Sequence, residues 1–257
     1  MGVIETIPTI LEKMTARQII DAFDEAYKSS EMIYEMMISN FINLSGIGFQ
    51  TVPLKQDSTV FRARYRDNFE PIIDFADISY PPISAVKNFS RLNRPCQSLF
   101  YASESEIACI LEMLPFWFDE FRTNDLINVT LSKWIVRYDL IVLIIPDTNN
   151  TNNFNKKVKE NLDPEEIVFW DYISNKFTTT TKNDKNIYEF TAAFANALWL
   201  NAKRQNLNIN GFIYGSVQSK QNVNIALSKD TIDSDKLTPV DFIELTFKRI
   251  GIDESGL

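Results

Sequence analysis

One isolated carboxylate marks a place where chemistry could be concentrated. Glu112 is the single charged residue in the apolar run IACILEMLPFWF, which spans residues 107–118. A carboxylate in such surroundings either faces solvent at the edge of an apolar stripe or is held in a partly apolar site for a chemical purpose. The spacing of the residues leaves both alternatives open.

Two arginines upstream of this carboxylate could bind an anion. The segment TVFRARY, residues 59–65, is typical of a strand whose side chains alternate between two faces. Arg62 and Arg64 therefore project from the same face. Paired guanidinium groups can clamp phosphates or carboxylates, but an edge strand with solvated arginines would have the same pattern.

The composition excludes several classes of site. The chain has no histidine, which removes Ser-His-Asp hydrolases, Cys-His proteases, imidazole bases and the commonest zinc and iron sites. It has only seven glycines and neither G-x-G-x-x-G nor G-x-x-x-x-G-K-[ST], so it lacks the glycine-rich phosphate-binding loops. A bound nucleotide would therefore be held by side chains.

Charge and cysteine content indicate the compartment and exclude some partners. A net charge of −8 and a pI near 4.8 argue against a nucleic-acid-binding surface. The longest apolar strand-like run, LIVLII, is too short to span a membrane. Cys96 and Cys109 lack C-x-x-C spacing and are too few for a disulfide framework. We therefore expect a cytoplasmic protein that binds neither nucleic acid nor membrane.

Two local elements are predicted to position Tyr101 and Glu112. Residues 98–102, SLFYA, form a predicted strand that places Tyr101 on the same face as Leu99. Residues 103–106 match the S-x-x-E capping box, which predicts a helix from Glu104 to about residue 114. The predicted core stripe of this helix is Ile107, Ile110, Leu111 and Leu114.

The rest of the chain is predicted to mix helices with short strands, which favours an α+β fold. Residues 1–55 are predicted to be an N-terminal helical segment capped at Thr15, and residues 56–257 the main domain. Helices are also predicted at residues 116–125, from about residue 163, at 186–205 and at 237–251, and strands within 129–145 and at 211–217 and 223–228. Residues 147–166 are predicted to include an exposed, mobile insertion.

Four motifs in order resemble the RES domain of bacterial toxin–antitoxin systems. Arg91 and Asn93 form an Arg-x-Asn motif, Tyr101 follows ten residues after the arginine, and Glu112 follows eleven residues after Tyr101. The segment VFRARY resembles the opening strand of the family. The segment NGFIYGSVQSKQNVNIAL, with Ser216, resembles its closing strand pair, which ends in N-x-x-L. The resemblance covers residues 59–227.

This resemblance implies a fold, a reaction and a set of site residues. The fold would have a split antiparallel β-sheet core similar to that of ADP-ribosyltransferases, with an N-terminal helical appendage. The reaction would be cleavage of the nicotinamide–ribose bond of NAD, with water as acceptor, or phosphate or a macromolecule as variants in the family, and it would deplete cellular NAD. NAD is a substrate here and not a cofactor, and the reaction needs no metal. An antitoxin protein would cover the active site. The expected catalytic residues are Arg91, Tyr101 and Glu112, and the expected NAD-binding residues are Arg62, Arg64, Asn93 and Ser216.

Two other functions remain open at this point. The same donor site would serve an ADP-ribosyltransferase that modifies one protein target. A non-catalytic protein could use Arg62 and Arg64 to bind an acidic partner, and this alternative would be favoured if the expected site residues did not converge in space. Without the resemblance, Ser216 would be interpreted as an ordinary hydroxyl at a strand end beside Gly215.

Overall fold

The computed structural model of the chain describes residues 5–6, 14–29, 33–43, 49–66, 72, 74–113, 126–150, 153–179 and 184–248. Its strands are β1 (Glu5–Thr6), β2 (Gln50–Leu54), β3 (Thr59–Arg66), β4 (Leu99–Ser103), β5 (Leu126–Val136), β6 (Leu140–Ile145), β7 (Gly211–Gly215), β8 (Val223–Ser228) and β9 (Leu237–Lys248). Its α-helices are α1 (Ala16–Ser29), α2 (Ile33–Asn43), α3 (Glu106–Leu111), α4 (Asn153–Glu160), α5 (Pro164–Thr178), α6 (Ile187–Arg204) and α7 (Lys229–Asp233).

The strands form one mixed sheet that nearly divides in two. The strand order is β1-β2-β6-β7-β8-β4-β3-β5-β9, and within the described residues the neighbouring strands are antiparallel except for β6 and β7. β3 pairs with β5 along its whole length, whereas β3 and β4 are joined only by the pair Phe61–Ser103. The predicted α+β class, with a split antiparallel sheet and N-terminal helices, is confirmed.

Side chains occupy the gap that opens between β3 and β4. The Cys109 thiol, on α3, donates a hydrogen bond to the Phe61 carbonyl at 2.8 Å. In addition, Arg62 Nη1 on β3 donates across the gap to the Tyr101 carbonyl on β4 at 2.7 Å. Backbone groups that would otherwise lack a strand partner are thereby satisfied, as buried polar groups require.

Each face of the sheet carries its own apolar core. Leu99, Phe212 and Ala226 belong to the first core, which is covered by α1, α2, α5 and α6. We call this side the helical face. Phe100 and Ile213, which alternate with those residues along the same strands, belong to the second core together with residues of α4. None of the helices in the described part of the chain is long and apolar enough to cross a membrane.

The N-terminal helices pack directly into the first core. Phe41 of α2 is fully buried, and its ring centroid lies 5.4 Å from that of Phe190 and 5.0 Å from that of Phe194, both on α6. Thr15 Oγ1 accepts a hydrogen bond from Gln18 N at 3.3 Å, which confirms the predicted cap. β2, within the same N-terminal 55 residues, pairs with β6. The division of the chain after residue 55 stays a prediction.

The predicted C-terminal helix is wrong, because residues 237–248 form strand β9. β9 pairs with β5 from Leu237–Val136 to Lys248–Leu126. Thr238 and Pro239 resemble a helix start, but the following residues FIELTF alternate and are rich in aromatic and β-branched types. The β5 edge supplies a partner for that pattern. Residues 249–251 of the predicted helix lie outside the described residues.

The helix that precedes Glu112 starts later than predicted. Ser105, not Ser103, is the N-cap, and its hydroxyl accepts from Ala108 N at 3.4 Å. Ser103 still belongs to β4 and donates through Oγ to the Val223 carbonyl at 2.8 Å. The predicted stripe is also wrong, because Ile107 is 67% exposed and α3 instead buries Ala108 and Cys109. Residue 114 and the helix predicted at residues 116–125 lie outside the described residues.

Residues 147–166 are not the exposed insertion that the sequence suggests. This segment contains α4, which buries Phe154 and Val158 in the second core. The predicted start of the next helix is confirmed, since Asp163 caps α5 and accepts from Glu166 N at 2.8 Å. The strands predicted in residues 59–65, 98–102, 129–145, 211–217 and 223–228, and the helix predicted at 186–205, are also confirmed.

Candidate active site

β4 presents Tyr101 on the helical face, where its hydroxyl joins the loop that contains Arg91 and Asn93. Tyr101 Oη donates to Asn93 Oδ1 at 2.7 Å and accepts from Leu92 N at 3.3 Å. Asn93 is 3% exposed. Burial raises the pKa of the Tyr101 phenol, so it remains a protonated donor at neutral pH. The phenol therefore fixes the position of this loop.

Arg91, in the loop before β4, packs against Tyr188 of α6. Its guanidinium stacks on the Tyr188 ring at 5.3 Å from the centroid and donates from Nη1 to the Thr179 carbonyl at 3.5 Å. Within the described part of the chain, its other N–H groups have no hydrogen-bond partner. A planar guanidinium oriented by stacking, with N–H groups still available, is well suited to bind a phosphate.

Glu112 follows α3 and receives two hydrogen bonds on one oxygen. Ser216 Oγ donates to Glu112 Oε1 at 2.6 Å, and Asn224 Nδ2 donates to the same atom at 2.8 Å. Both donors are buried, with exposures of 2% for Ser216 and 5% for Asn224. Ser219 N donates to Ser216 Oγ at 3.0 Å, which directs the hydroxyl hydrogen toward the carboxylate. The half-buried Glu112 is therefore held in place, while Oε2 has no partner among the described residues.

Arg62 and Arg64 lie on the opposite side of β3 from this site. Arg62 packs over the Phe100 ring at 5.2 Å. Its Nε donates to the carbonyls of Ile78 at 3.2 Å and Ser79 at 3.1 Å, in addition to the Nη1 bond to Tyr101 described above. Arg64 Nη1 donates to the Asp77 carbonyl. Burial lowers the pKa of Arg62 to about 10, so it remains charged at neutral pH.

The structure brings together part of the expected set of residues. Arg91, Asn93 and Tyr101 form one group and Glu112 and Ser216 form another, both on the helical face. Arg62 touches the first group only through the backbone carbonyl of Tyr101, and Arg64 contacts neither group. The two arginines instead hold the segment of residues 77–79 through its carbonyls.

Sequence reasoning missed three residues of this region. Asn224 holds Glu112, Tyr188 supports Arg91, and Tyr214 lies beside Asn224 on the neighbouring strand. Asn224 is the first residue of the N-x-x-L element and a polar residue within the buried strand VNIAL. That contrast was the signal available in the sequence.

Gly215, the last residue of β7, makes room for a neighbouring side chain. A Cβ at this position would lie 2.2 Å from Asp147 Oδ2, so the absence of a side chain admits this carboxylate and not a ligand. Asp147 Oδ1 accepts from Ser174 Oγ at 2.9 Å. The Asp147 carboxylate thus supports the end of β7 immediately before Ser216. In the described residues, no cluster of three or more Cys, Asp or Glu residues could hold a metal ion.

Comparison with known proteins identifies a family for most of this chain. A family model described as the RES domain matches residues 59–247. The match begins at the first residue of β3 and ends at residue 247, one residue before the end of β9. It therefore includes every expected site residue and extends beyond the resemblance seen in the sequence. No curated protein matches the chain.

Proposed function

The chain belongs to the RES domain family, and from this premise we propose that it cleaves the bond between nicotinamide and ribose in NAD. The RES domain is associated with NAD-related toxin function. The observation that carries the proposal is the Glu112 carboxylate, fixed by Ser216 and Asn224 on the same face of the sheet as Tyr101 and Arg91. A carboxylate in a fixed position can stabilise the positive charge that this reaction develops on the ribose.

The reaction requires a negative group beside the ribose. When the C1′–N bond breaks, the bonding electrons go to the nicotinamide nitrogen, which becomes neutral, and positive charge develops on the ribose ring. Glu112 Oε2, which has no protein partner among the described residues, would stabilise this charge or orient the attacking water. Water adds to C1′ and loses a proton, so the products are ADP-ribose, nicotinamide and a proton.

Arg91 is the better candidate for holding the pyrophosphate. Its guanidinium has N–H groups free of protein partners among the described residues, whereas Nε and Nη1 of Arg62 donate to backbone carbonyls. Tyr101 and Asn93 would form the wall of the ribose pocket, and Ser216 would act through Glu112. Arg62 and Arg64 would contribute by holding the segment of residues 77–79. NAD is the substrate, and no resident cofactor or metal is required.

We further expect a protein partner that blocks this site. As in the RES toxins that the chain resembles, an antitoxin protein would cover the cleft and prevent NAD loss in the cytoplasm. Expression without that partner is expected to lower cellular NAD and arrest growth. Arrest with unchanged NAD would contradict bulk cleavage.

The test of the proposed reaction is direct. Purified protein is incubated with NAD, and nicotinamide and ADP-ribose are measured with and without inorganic phosphate, with Glu112→Gln as the control. Equal release of nicotinamide and free ADP-ribose supports hydrolysis, and a phosphorylated ADP-ribose supports phosphorolysis. ADP-ribose retained on an added protein would indicate transfer to a target. If the wild type released no nicotinamide without phosphate, with phosphate or with an added protein, the non-catalytic alternative would remain.

A further inference from the structure

Tyr214 is a buried tyrosine whose hydroxyl lacks a partner. It lies on β7 and is only 7% exposed, yet its hydroxyl makes no hydrogen bond among the described residues. Buried polar groups are normally hydrogen-bonded, and an unpaired one lowers the stability of the fold. This hydroxyl is therefore available to a ligand.

The sheet register places this side chain between the two groups of the candidate site. Tyr214 pairs directly with Asn224, which holds Glu112, so their side chains share the helical face. Tyr101 lies two strands away on the same face and diagonally from Tyr214, because Tyr101 pairs with Ala226 whereas Tyr214 pairs with Asn224. Adjacent strands are about 4.8 Å apart, so the Cα atoms of Tyr214 and Tyr101 are separated by roughly 12 Å and both side chains project from the same face.

The chemistry of this hydroxyl suits hydrogen bonding to an uncharged polar group. Burial raises the pKa of the Tyr214 phenol, and the neighbouring Tyr101 and Glu112 act in the same direction, so the hydroxyl stays protonated. It can both donate and accept. A sugar hydroxyl has the same capacity and is the polar group of NAD that would lie nearest to Glu112.

We propose that Tyr214 is a further substrate-binding residue, whose hydroxyl binds a hydroxyl of the nicotinamide ribose between Tyr101 and Glu112. This inference rests on the proposed function, because it assigns a contact within the same reaction. It explains why an unpaired hydroxyl is kept in the protein interior. The bond that this hydroxyl lacks in the free protein forms when the substrate binds.

The proposal predicts opposite effects on stability and on binding. Tyr214→Phe removes only the unpaired hydroxyl, so the Tm of the free protein should stay the same or rise. Tyr101→Phe removes a hydroxyl that bonds Asn93 and Leu92, so its Tm should fall. Tyr138→Phe, at a residue that is 62% exposed, is the matched control and should change neither Tm nor activity.

The second measurement is the KM for NAD in the nicotinamide-release assay. Loss of one hydrogen bond should raise the KM of Tyr214→Phe by about 3- to 10-fold. A KM equal to that of the wild type, or a Tm that falls as for Tyr101→Phe, would overturn the inference. Absence of cleavage in the wild type would instead refute the proposed function and this contact with it, and the Tm comparison would still show whether the Tyr214 hydroxyl is unpaired.

Discussion

Among the described residues, Glu112 is held through one of its two oxygens, and this determines what substitutions there should do. In Glu112→Gln, the amide oxygen can still accept from Ser216 and Asn224, so the fold and NAD binding should be retained. Loss of the negative charge removes stabilisation of the ribose cation, and turnover should fall about 100-fold. Nicotinamide release at saturating NAD and the Tm together test this prediction.

A matched control for this substitution lies on α3, the helix that ends immediately before Glu112. Glu106→Gln changes an exposed glutamate in the first turn of α3 and should leave turnover unchanged. Equal turnover for wild type and Glu112→Gln would remove Glu112 from the mechanism.

Asn224 should keep Glu112 in the position that the reaction needs. In Asn224→Asp, a second carboxylate would lie 2.8 Å from Glu112 Oε1. The new carboxylate cannot donate a hydrogen bond to this oxygen and repels it. Glu112 should therefore lose its fixed position, and turnover at saturating NAD should fall by about 10-fold or more.

Turnover of Asn224→Asp is compared with that of Asn206→Asp. Asn206 is exposed, lies beyond α6 and should tolerate aspartate without a change in turnover. Turnover of Asn224→Asp equal to that of the wild type would show that Asn224 does not hold Glu112 for the reaction.

Sequence reasoning identified residues of the site through motif order and missed those whose orientation depends on tertiary structure. Ser216 and Glu112 are 104 residues apart in the chain yet share a hydrogen bond. Alternation along β7 and β8 could not select Tyr214 and Asn224, because both faces of these strands are buried. The alternation of β3 correctly places Arg62 and Arg64 on one face. Only the folded structure shows that this face lies opposite the site and that backbone carbonyls accept from Nε and Nη1 of Arg62.

At the scale of elements, Arg62 is expected to contribute mainly to stability. Arg62→Ala would leave the buried carbonyls of Ile78, Ser79 and Tyr101 without their donor at the gap between β3 and β4. An unsatisfied buried polar group costs about 1–3 kcal/mol, so the free energy of unfolding should fall by about 2–4 kcal/mol. Urea denaturation measures this loss.

Arg64→Ala provides the comparison from the same strand face. Arg64 is only partly buried and donates to one carbonyl, so its loss should lower the free energy of unfolding by about 1 kcal/mol or less. If the two variants were equally stable, Arg62 would not be the structural link between these strands. NAD binding of both variants, measured well below their Tm values, tests the expected clamp separately.

The elements that were predicted correctly have strong local signals, and the errors have physical causes. α6 shows apolar residues at helical spacing, and Asp163 with Pro164 is a clear helix start. β9 was mistaken because its first residues imitate a helix cap, whereas its structure depends on pairing with β5, which is distant in sequence. α3 was misplaced because Ser103 hydrogen-bonds across the sheet and cannot also cap a helix.

For the molecule as a whole, the N-terminal helices are expected to unfold together with the rest of the chain. Phe41 is fully buried against Phe23, Phe190 and Phe194. Phe41→Ala should lower the free energy of unfolding by about 3–5 kcal/mol in a single cooperative transition. Denaturation followed by both circular dichroism and tryptophan fluorescence tests this.

The control for this prediction is Met36→Ala, also on α2, at a residue that is 43% exposed. It should have little effect on stability. An early, separate transition in Phe41→Ala, with nicotinamide release retained after that transition, would contradict joint unfolding of the N-terminal helices and the rest of the chain. It would instead support residues 1–55 as an independent appendage.

The single pair Phe61–Ser103 means that the main-chain hydrogen-bond ladder is almost interrupted in the middle of the molecule. Cooperativity between the two parts of the sheet must then pass through side chains, chiefly Arg62 and Cys109. Native-state hydrogen exchange should therefore resolve two protected units, with β7, β8 and β4 in one and β3, β5 and β9 in the other. Arg62→Ala should widen the difference in protection between these units, because the second unit can then open while the first stays closed.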